Sequence, residues 1–196
     1  MSQFVTLNRI MKDDYHYNEA IKTLRTNIQF CGSGIKTIML TSSLPDEGKS
    51  DITFAMASSL AQIGKKVVMI FAGPYSPNPA ELLEESLFGD MISKLKERYD
   101  YIIVDTPPMG NLIDGAIVAR QCDGAVMVIE SGSISYRLEQ RVKGQLEKSG
   151  CRILGVVLNK VNMERNGYYS KYYGKYGKYS KYGHYGKYDR YGKAEA

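Results

Sequence analysis

Ser43-Leu44-Pro45-Asp46-Glu47-Gly48-Lys49-Ser50 follows the apolar run Ile38-Met39-Leu40 and precedes Ile52-Thr53-Phe54-Ala55-Met56-Ala57, an order that reads as strand, loop, then helix. Gly48 has no Cβ, so the backbone is free to close tightly there and to aim several N–H groups, with the positive end of the helix dipole, at one phosphate. In that arrangement Lys49 reaches the β- and γ-phosphates, and the Ser50 hydroxyl is a ligand to Mg²⁺. The order departs from G-x-x-x-x-G-K-[ST] in having Ser43, another small residue, at the first position. Ser43, Pro45, Asp46, Glu47, Gly48, Lys49 and Ser50 are therefore the candidate nucleotide contacts; an ordinary βα turn is the alternative reading.

Upstream, Tyr17, Ala20, Ile21, Leu24 and Ile28 recur at helical spacing, which predicts an amphipathic helix over about Tyr15 to Phe30 with Asp14 near its N-cap. Glu19, Lys22 and Arg25 step along one polar flank. Downstream, the loop's helix runs to about Ile63, with Gly64 as C-cap, and Val67 to Phe71 forms the second strand. Three prolines and a glycine exclude regular structure from 72–79. A helix then opens at Ala80 or Glu81, with Asn78 as cap, Pro79 in its first turn and Leu82, Leu83, Leu87, Ile92 and Leu95 on one side.

Tyr101-Ile102-Ile103-Val104-Asp105 is a continuous apolar strand ending in a carboxylate and followed at once by Thr106-Pro107-Pro108. A parallel strand buried on both faces has this composition. Residues 111–121 give a short helix, Gly124 to Ile129 a strand, Ser135 to Ser149 a charged helix and Arg152 to Leu158 a last strand. Alternating strands and helices imply an α/β fold, a doubly wound and mostly parallel sheet of P-loop NTPase type with helices on both faces. Ligands of such sheets bind at the carboxyl ends of the strands, where the loop and Asp105 both lie. Asp105 thus fits the Walker B role of holding Mg²⁺. Asn159-Lys160, ending the last strand, reads as an adenine contact or as a plain turn.

The chain of 196 residues carries a net charge of +5, and the excess is confined to its end. Residues 164–196 hold 8 Lys+Arg and 3 Asp+Glu, which leaves 18 of each in 1–163. The overall charge therefore says nothing about a nucleic-acid surface on the globular part, 1–163. The absence of a long apolar segment or a signal-like start predicts a soluble, cytoplasmic protein. Cys31, Cys122 and Cys151 have no C-x-x-C spacing, so neither a disulfide framework nor a zinc site is expected, and buried thiols are the plainer reading. In 164–196, Tyr173, Tyr176, Tyr179, Tyr182, Tyr185, Tyr188 and Tyr191 recur every third residue, the last six each preceded by a basic residue or His184. Tyr168, Tyr169 and Tyr172 bring the cluster to ten. With no aliphatic residues to build a core, this tail is expected to be disordered and every tyrosine accessible. A tail that associates with RNA or acidic polymers through charge and stacking is the plainer alternative to a modified one.

Together, the loop, Val-Asp-Thr-Pro-Pro and the terminal tyrosine cluster resemble the bacterial tyrosine kinases that control capsular and exopolysaccharide synthesis. Thr41 to Ser50 is similar to that family's Walker A, Asp105 to its Walker B aspartate, Pro77-Asn78-Pro79-Ala80-Glu81-Leu82-Leu83 to its P-N-P-x-E-L-L segment, and Asp123-Gly124-Ala125 to its D-G-x strand entry. Glu19-Ala20-Ile21-Lys22-Thr23-Leu24-Arg25 resembles the family's E-x-x-R-x-x-R helix, which packs on the next subunit of a ring, with Lys22 in place of an arginine. The resemblance implies ATP and Mg²⁺ as cofactors, with Lys49 and Asp105 catalytic and Ser50 and Asp105 at the metal. It further implies trans-autophosphorylation of Tyr168, Tyr169, Tyr172, Tyr173, Tyr176, Tyr179, Tyr182, Tyr185, Tyr188 and Tyr191, and a homo-oligomeric interface through Glu19, Lys22 and Arg25. A membrane-spanning adaptor of the polysaccharide co-polymerase type, recruitment to the inner face of the membrane and a cognate tyrosine phosphatase belong to the same expectation; nucleic acid does not.

Two departures stand out. In the family, the strand after the P-loop helix ends in D-x-D, the Walker A′ motif, whose first aspartate helps hold Mg²⁺ and activate the tyrosine hydroxyl. Here Val67-Val68-Met69-Ile70 runs into Phe71-Ala72-Gly73, as though two family strands were fused and the block between them absent. Asp51 also places a negative charge beside the phosphate site where a small hydroxyl residue is usual. A nucleotide-binding scaffold whose tail is phosphorylated by an intact relative is thus one alternative. A partitioning or septum-placement ATPase of the ParA/MinD type is another, although the loop lacks that group's additional lysine.

Overall fold

The computed structural model describes residues 14–71, 86–110, 114–133 and 135–161. In chain order these form α1 (Tyr15–Phe30), β1 (Thr37–Ser42), α2 (Lys49–Gln62), β2 (Val67–Phe71), α3 (Ser86–Arg98), β3 (Tyr101–Asp105), α4 (Asp114–Ala119), β4 (Gly124–Glu130), α5 (Tyr136–Lys148) and β5 (Ile153–Asn159). The five strands make one parallel sheet in the order β2-β3-β1-β4-β5. Strand alternation sorts the core into two layers. Ile38 and Leu40 of β1, Ile103 of β3 and Val126 and Val128 of β4 meet α1 and α2 through Ile21, Ile28, Ile52, Met56 and Leu60. Met39, Ile102, Val104, Ala125 and Met127 face the other way, onto Ile92, Val118, Val142 and Leu146 of α3, α4 and α5. This is the expected doubly wound arrangement.

Helix ends follow local chemistry. The Asp14 carboxylate accepts from the His16 and Tyr17 amides, and the Ser135 hydroxyl accepts from the Leu138 amide, which satisfies donors that a helix leaves open at its start. Gly64 follows α2 at φ +79°, the left-handed conformation that ends a helix at least cost in a residue without Cβ. The expected start of α3, with Asn78, Pro79, Leu82 and Leu83, lies outside the described residues. Leu87 is a correction: it is 67% exposed, whereas Ile92 is buried. At 100° per residue the two stand about 140° apart, and Phe88, Ile92 and Leu95 form the inward stripe instead.

Asp123 braces the sheet at the end away from the loop. Its Oδ2 accepts from the Lys36 and Thr37 amides at 3.0 and 2.7 Å, and its Oδ1 from Lys96 Nζ at 2.7 Å. Burial alone would raise its pKa, but the Lys96 ammonium and the two amides hold the carboxyl below the usual range. At the adjacent Gly124 a Cβ would stand 2.5–2.7 Å from the Leu154 side chain, so the family-like Asp-Gly pair has a packing role here. All three cysteines are free; Cys151 is buried, but Cys31 and Cys122 are half-buried. Burial, reinforced by Asp123, pushes the Cys151 thiol up to about 11, and burial with Cys151 nearby raises Cys122 further. The chain divides into two units, Met1–Lys160 and Val161–Ala196; the tail with its ten tyrosines lies outside the described residues. Among the described residues no helix is long and apolar enough to cross a membrane.

Candidate nucleotide site

At the carboxyl end of β1 the chain enters the loop and leaves it as α2. Gly48 is the N-cap of α2 at φ +82° and supplies no side-chain cap. Asp46 also has a positive φ of 63°. The 14-residue helix therefore presents its first amides without a side-chain acceptor, a donor set suited to an anion.

Lys49, Ser50 and Asp105 converge at this point, as the sequence predicts. Asp105, at the end of β3, is brought beside the loop because β3 pairs with β1 in a register that sets Leu40 opposite it. Lys49 Nζ donates to Asp105 Oδ1 at 2.5 Å and Ser50 Oγ donates to Asp105 Oδ2 at 2.7 Å. Both charged side chains are nearly enclosed, at 10% and 7% exposure. The carboxylate thus gathers the lysine and the hydroxyl at one point, and each keeps further capacity, the ammonium two more N–H groups and the hydroxyl its lone pairs. Hydroxyl and carboxylate oxygens are the donors Mg²⁺ prefers, and it is ordinarily held by one or two protein ligands plus substrate phosphate. The residues present fit Mg²⁺–nucleotide.

The segment after Asp105 is laced to the loop's entry. The Thr106 amide and hydroxyl both donate to the Leu40 carbonyl, the Met109 amide donates to Ser42 O at 2.8 Å, and the Gly110 amide to Ser43 O at 3.1 Å. A Cβ on Gly110 would lie 2.2 Å from Ser43 O, so this approach requires glycine.

Other predicted contacts also make bonds within the protein. Glu47 is 2% exposed, and its carboxylate accepts from the Leu44 amide at 2.7 Å and the Glu130 amide at 3.0 Å; the side chain braces the loop from within. Asn159 Nδ2 donates to Glu47 O at 2.8 Å. Lys160 Nζ donates to Asp46 O at 2.5 Å and pairs with Glu130 at 2.8 Å. The end of β5 therefore clamps the loop, a role that a short polar turn does not disclose in sequence. The Asp51 carboxylate stands near Tyr17 of α1, whose phenol pKa is raised by burial and then by that charge. On α1, Lys22 and Glu19 pair at 2.7 Å on the surface. Arg25 instead crosses to α2, where Nη1 donates to the Ser59 carbonyl and hydroxyl at 3.1 and 3.0 Å. Finally, Phe71 ends β2 opposite Asp105 and is 53% exposed, so the strand beside Asp105 ends in an apolar side chain.

No family model matches the chain. It is 34% identical over 218 aligned positions to the tyrosine-protein kinase CpsD of Streptococcus agalactiae, covering 87% of this chain and 93% of the relative. The tyrosine-protein kinase CpsD of Streptococcus pneumoniae is 33% identical over 87% of this chain and 95% of its own length. Among solved structures, the chimerical protein CapA2B2 superimposes with a TM-score of 0.68 at 25% identity, covering 73% of this chain and 84% of that one. With near-full-length identity above 30% and the matching parallel α/β fold, the chain belongs to the bacterial tyrosine-protein kinases.

Proposed function

We propose that the protein is an ATP-dependent tyrosine kinase that phosphorylates the C-terminal tyrosine cluster of a neighbouring copy. The carrying observation is the convergence of Lys49, Ser50 and Asp105 at the uncapped start of α2. In this reading the α2 amides and Lys49 would bind and orient the polyphosphate, whose terminal phosphoryl group would pass to a tyrosine oxygen with ADP as leaving group and the phenol proton released to solvent. Ser50 and Asp105 would hold Mg²⁺, which supplies charge neutralisation when bound. Adenine contact by Asn159 belongs to this reading, through whatever capacity its amide retains beyond the Glu47 carbonyl. So do a ring-like homo-oligomer engaging Glu19, Lys22 and Arg25, and a membrane-spanning adaptor that recruits the protein to the inner membrane face during capsular or exopolysaccharide synthesis. A tyrosine phosphatase would reset the tail.

The test is incubation of purified protein with Mg-ATP, alone and with its adaptor, followed by mass spectrometry of residues 168–191. A Lys49→Met chain, distinguishable by mass, should be modified only when wild type is present. An unmodified wild-type tail under both conditions refutes the active-kinase reading.

One observation favours a second reading. Phe71 stands where β2 could bring a second carboxylate beside Asp105. The alignment with CpsD runs to 218 positions although only 87% of the 196-residue chain takes part, which leaves several dozen positions without a counterpart here; this second reading assigns them to an absent Walker A′ block. On that reading the protein binds nucleotide as a scaffold, and its tail is modified only when an intact kinase is added.

A further inference from the structure

Lys160, directly after β5, lies in the left-handed backbone region at φ +54°, and so does Asp46 in the loop at φ +63°. Lysine has no short polar side chain to favour that conformation locally, so contacts elsewhere must hold it. The two residues are joined: Lys160 Nζ donates to the Asp46 carbonyl at 2.5 Å and pairs with the Glu130 carboxylate at 2.8 Å. Glu130 in turn donates its amide to the buried Glu47 carboxylate at 3.0 Å. Beside Lys160, Asn159 Nδ2 donates to the Glu47 carbonyl at 2.8 Å. The carbonyls of two successive loop residues, Asp46 and Glu47, are thus both turned toward the end of β5.

A trans peptide is planar and carries its C=O and N–H on opposite sides, and none of the peptide bonds here is cis. Turning the Asp46 carbonyl to Lys160 therefore points the Glu47 N–H the other way, and turning the Glu47 carbonyl to Asn159 does the same for the Gly48 N–H. Neither amide donates to an acceptor among the described residues. Positive φ at both Asp46 and Gly48 curves this stretch, and successive amides in such a turn form an anion-binding nest. It adjoins Lys49, the first residue of α2. We propose that Lys160 is a positioning residue of the nucleotide site: its ammonium fixes the Asp46–Glu47 peptide so that the Glu47 N–H is already aimed at the phosphate position before nucleotide arrives. Lys160 touches no phosphate and acts through Asp46. The inference rests on the nucleotide-binding reading of the loop.

The experiment is calorimetric titration of the full chain with Mg-ADP and with Mg-pyrophosphate, joined to melting of the nucleotide-free variants and to amide NMR. Lys160→Met keeps the stem and loses the donor; it should weaken both ligands about tenfold, the worth of one hydrogen bond to a charged group, because the amide it aims meets phosphate and not base. Lys160→Gly loses the ammonium but relieves the left-handed backbone, so it should show the same affinity loss with a melting temperature no lower than that of Lys160→Met. On addition of Mg-pyrophosphate the Glu47 amide proton should move downfield in wild type and markedly less in Lys160→Met, while the Ser50 amide moves alike in both. Wild-type affinity in either variant, a loss for ADP with none for pyrophosphate, or a Glu47 shift as large in Lys160→Met as in wild type each overturns the assignment. Wild type that binds neither ligand overturns the nucleotide-site reading itself and this inference with it.

Discussion

The Lys49–Asp105 pair can be tested without any nucleotide. With both side chains nearly enclosed and 2.5 Å between Nζ and Oδ1, Lys49→Met leaves a carboxylate buried with only the Ser50 hydroxyl as partner. Removing one member of a buried ion pair costs about 3–5 kcal/mol, and the retained Ser50 bond offsets about 1 kcal/mol of that. The expected loss is therefore about 2–4 kcal/mol. For a domain of this size each kcal/mol moves the melting temperature by about 2–4 °C, so Lys49→Met should melt roughly 5–15 °C below wild type. Lys49→Met/Asp105→Asn removes both charges and keeps an acceptor for Ser50, which should bring stability back to within about 1 kcal/mol of wild type. Because the pair is enclosed, the difference should persist in high salt. Neither variant should bind Mg-ADP, which separates the structural role of the pair from its role in nucleotide binding. Lys49→Met melting within about 2 °C of wild type, or a double variant as unstable as the single one, refutes the reasoning.

Three other substitutions probe the frame around the loop. Gly48→Ala forces a Cβ into a left-handed position 2.2 Å from Asn159 Nδ2; strain of about 1–2 kcal/mol and the lost Asn159–Glu47 bond, about 1 kcal/mol, should lower the melting temperature and abolish ADP binding in titration. Asp123→Ala removes a charged acceptor of two amides and of Lys96 and should cost about 2–4 kcal/mol at neutral pH. Because the folded carboxyl has a depressed pKa, its contribution is present above the unfolded value of about 3.9 and is lost as pH falls through the folded one; urea titrations should show the gap from wild type narrowing in acid. Phe71→Asp puts a carboxylate opposite Asp105 at an exposed strand end; it should leave the melting temperature nearly unchanged and raise tail phosphorylation measured by mass spectrometry. No gain would show that a carboxylate at this strand end is not sufficient.

The central elements were legible because each carries its own local signal. Strands β1, β3 and β4 are apolar on both faces and end at carboxylates, glycines or small polar residues, so their limits and the doubly wound topology follow from period and punctuation. Lys49, Ser50 and Asp105 were legible for the same reason: a loop between strand and helix, and a carboxylate at a strand's carboxyl end, have one place to go in a parallel sheet. What escaped were interactions defined by pairs distant in sequence. Asn159 and Lys160 clamp Asp46 and Glu47 from more than a hundred residues away. Arg25 reads as one member of a polar flank, but its guanidinium reaches Ser59 because α1 lies over α2. Leu87 failed in the other direction, since a run of leucines suggested a face that Phe88 actually occupies.

The distribution of these contacts bears on what the proposed site can do. Groups that would hold a nucleotide come from β1, α2, β3 and the end of β5, and they brace one another: Glu130 and Asn159 fix Glu47, Lys160 fixes Asp46, and Gly110 fixes Ser43. The edge strand β2 contributes nothing comparable, since its last residue is an exposed phenylalanine set opposite Asp105. A site can bind polyphosphate with the first set alone, because amides, one ammonium and one metal-binding carboxylate answer its charge. Transfer to a phenol also requires the attacking oxygen to be oriented and its proton received, and β2 brings no group suited to that. The proposed function therefore makes nucleotide affinity and tail phosphorylation separable. The comparison of wild type with Phe71→Asp at equal ADP affinity is the measurement in which they should part.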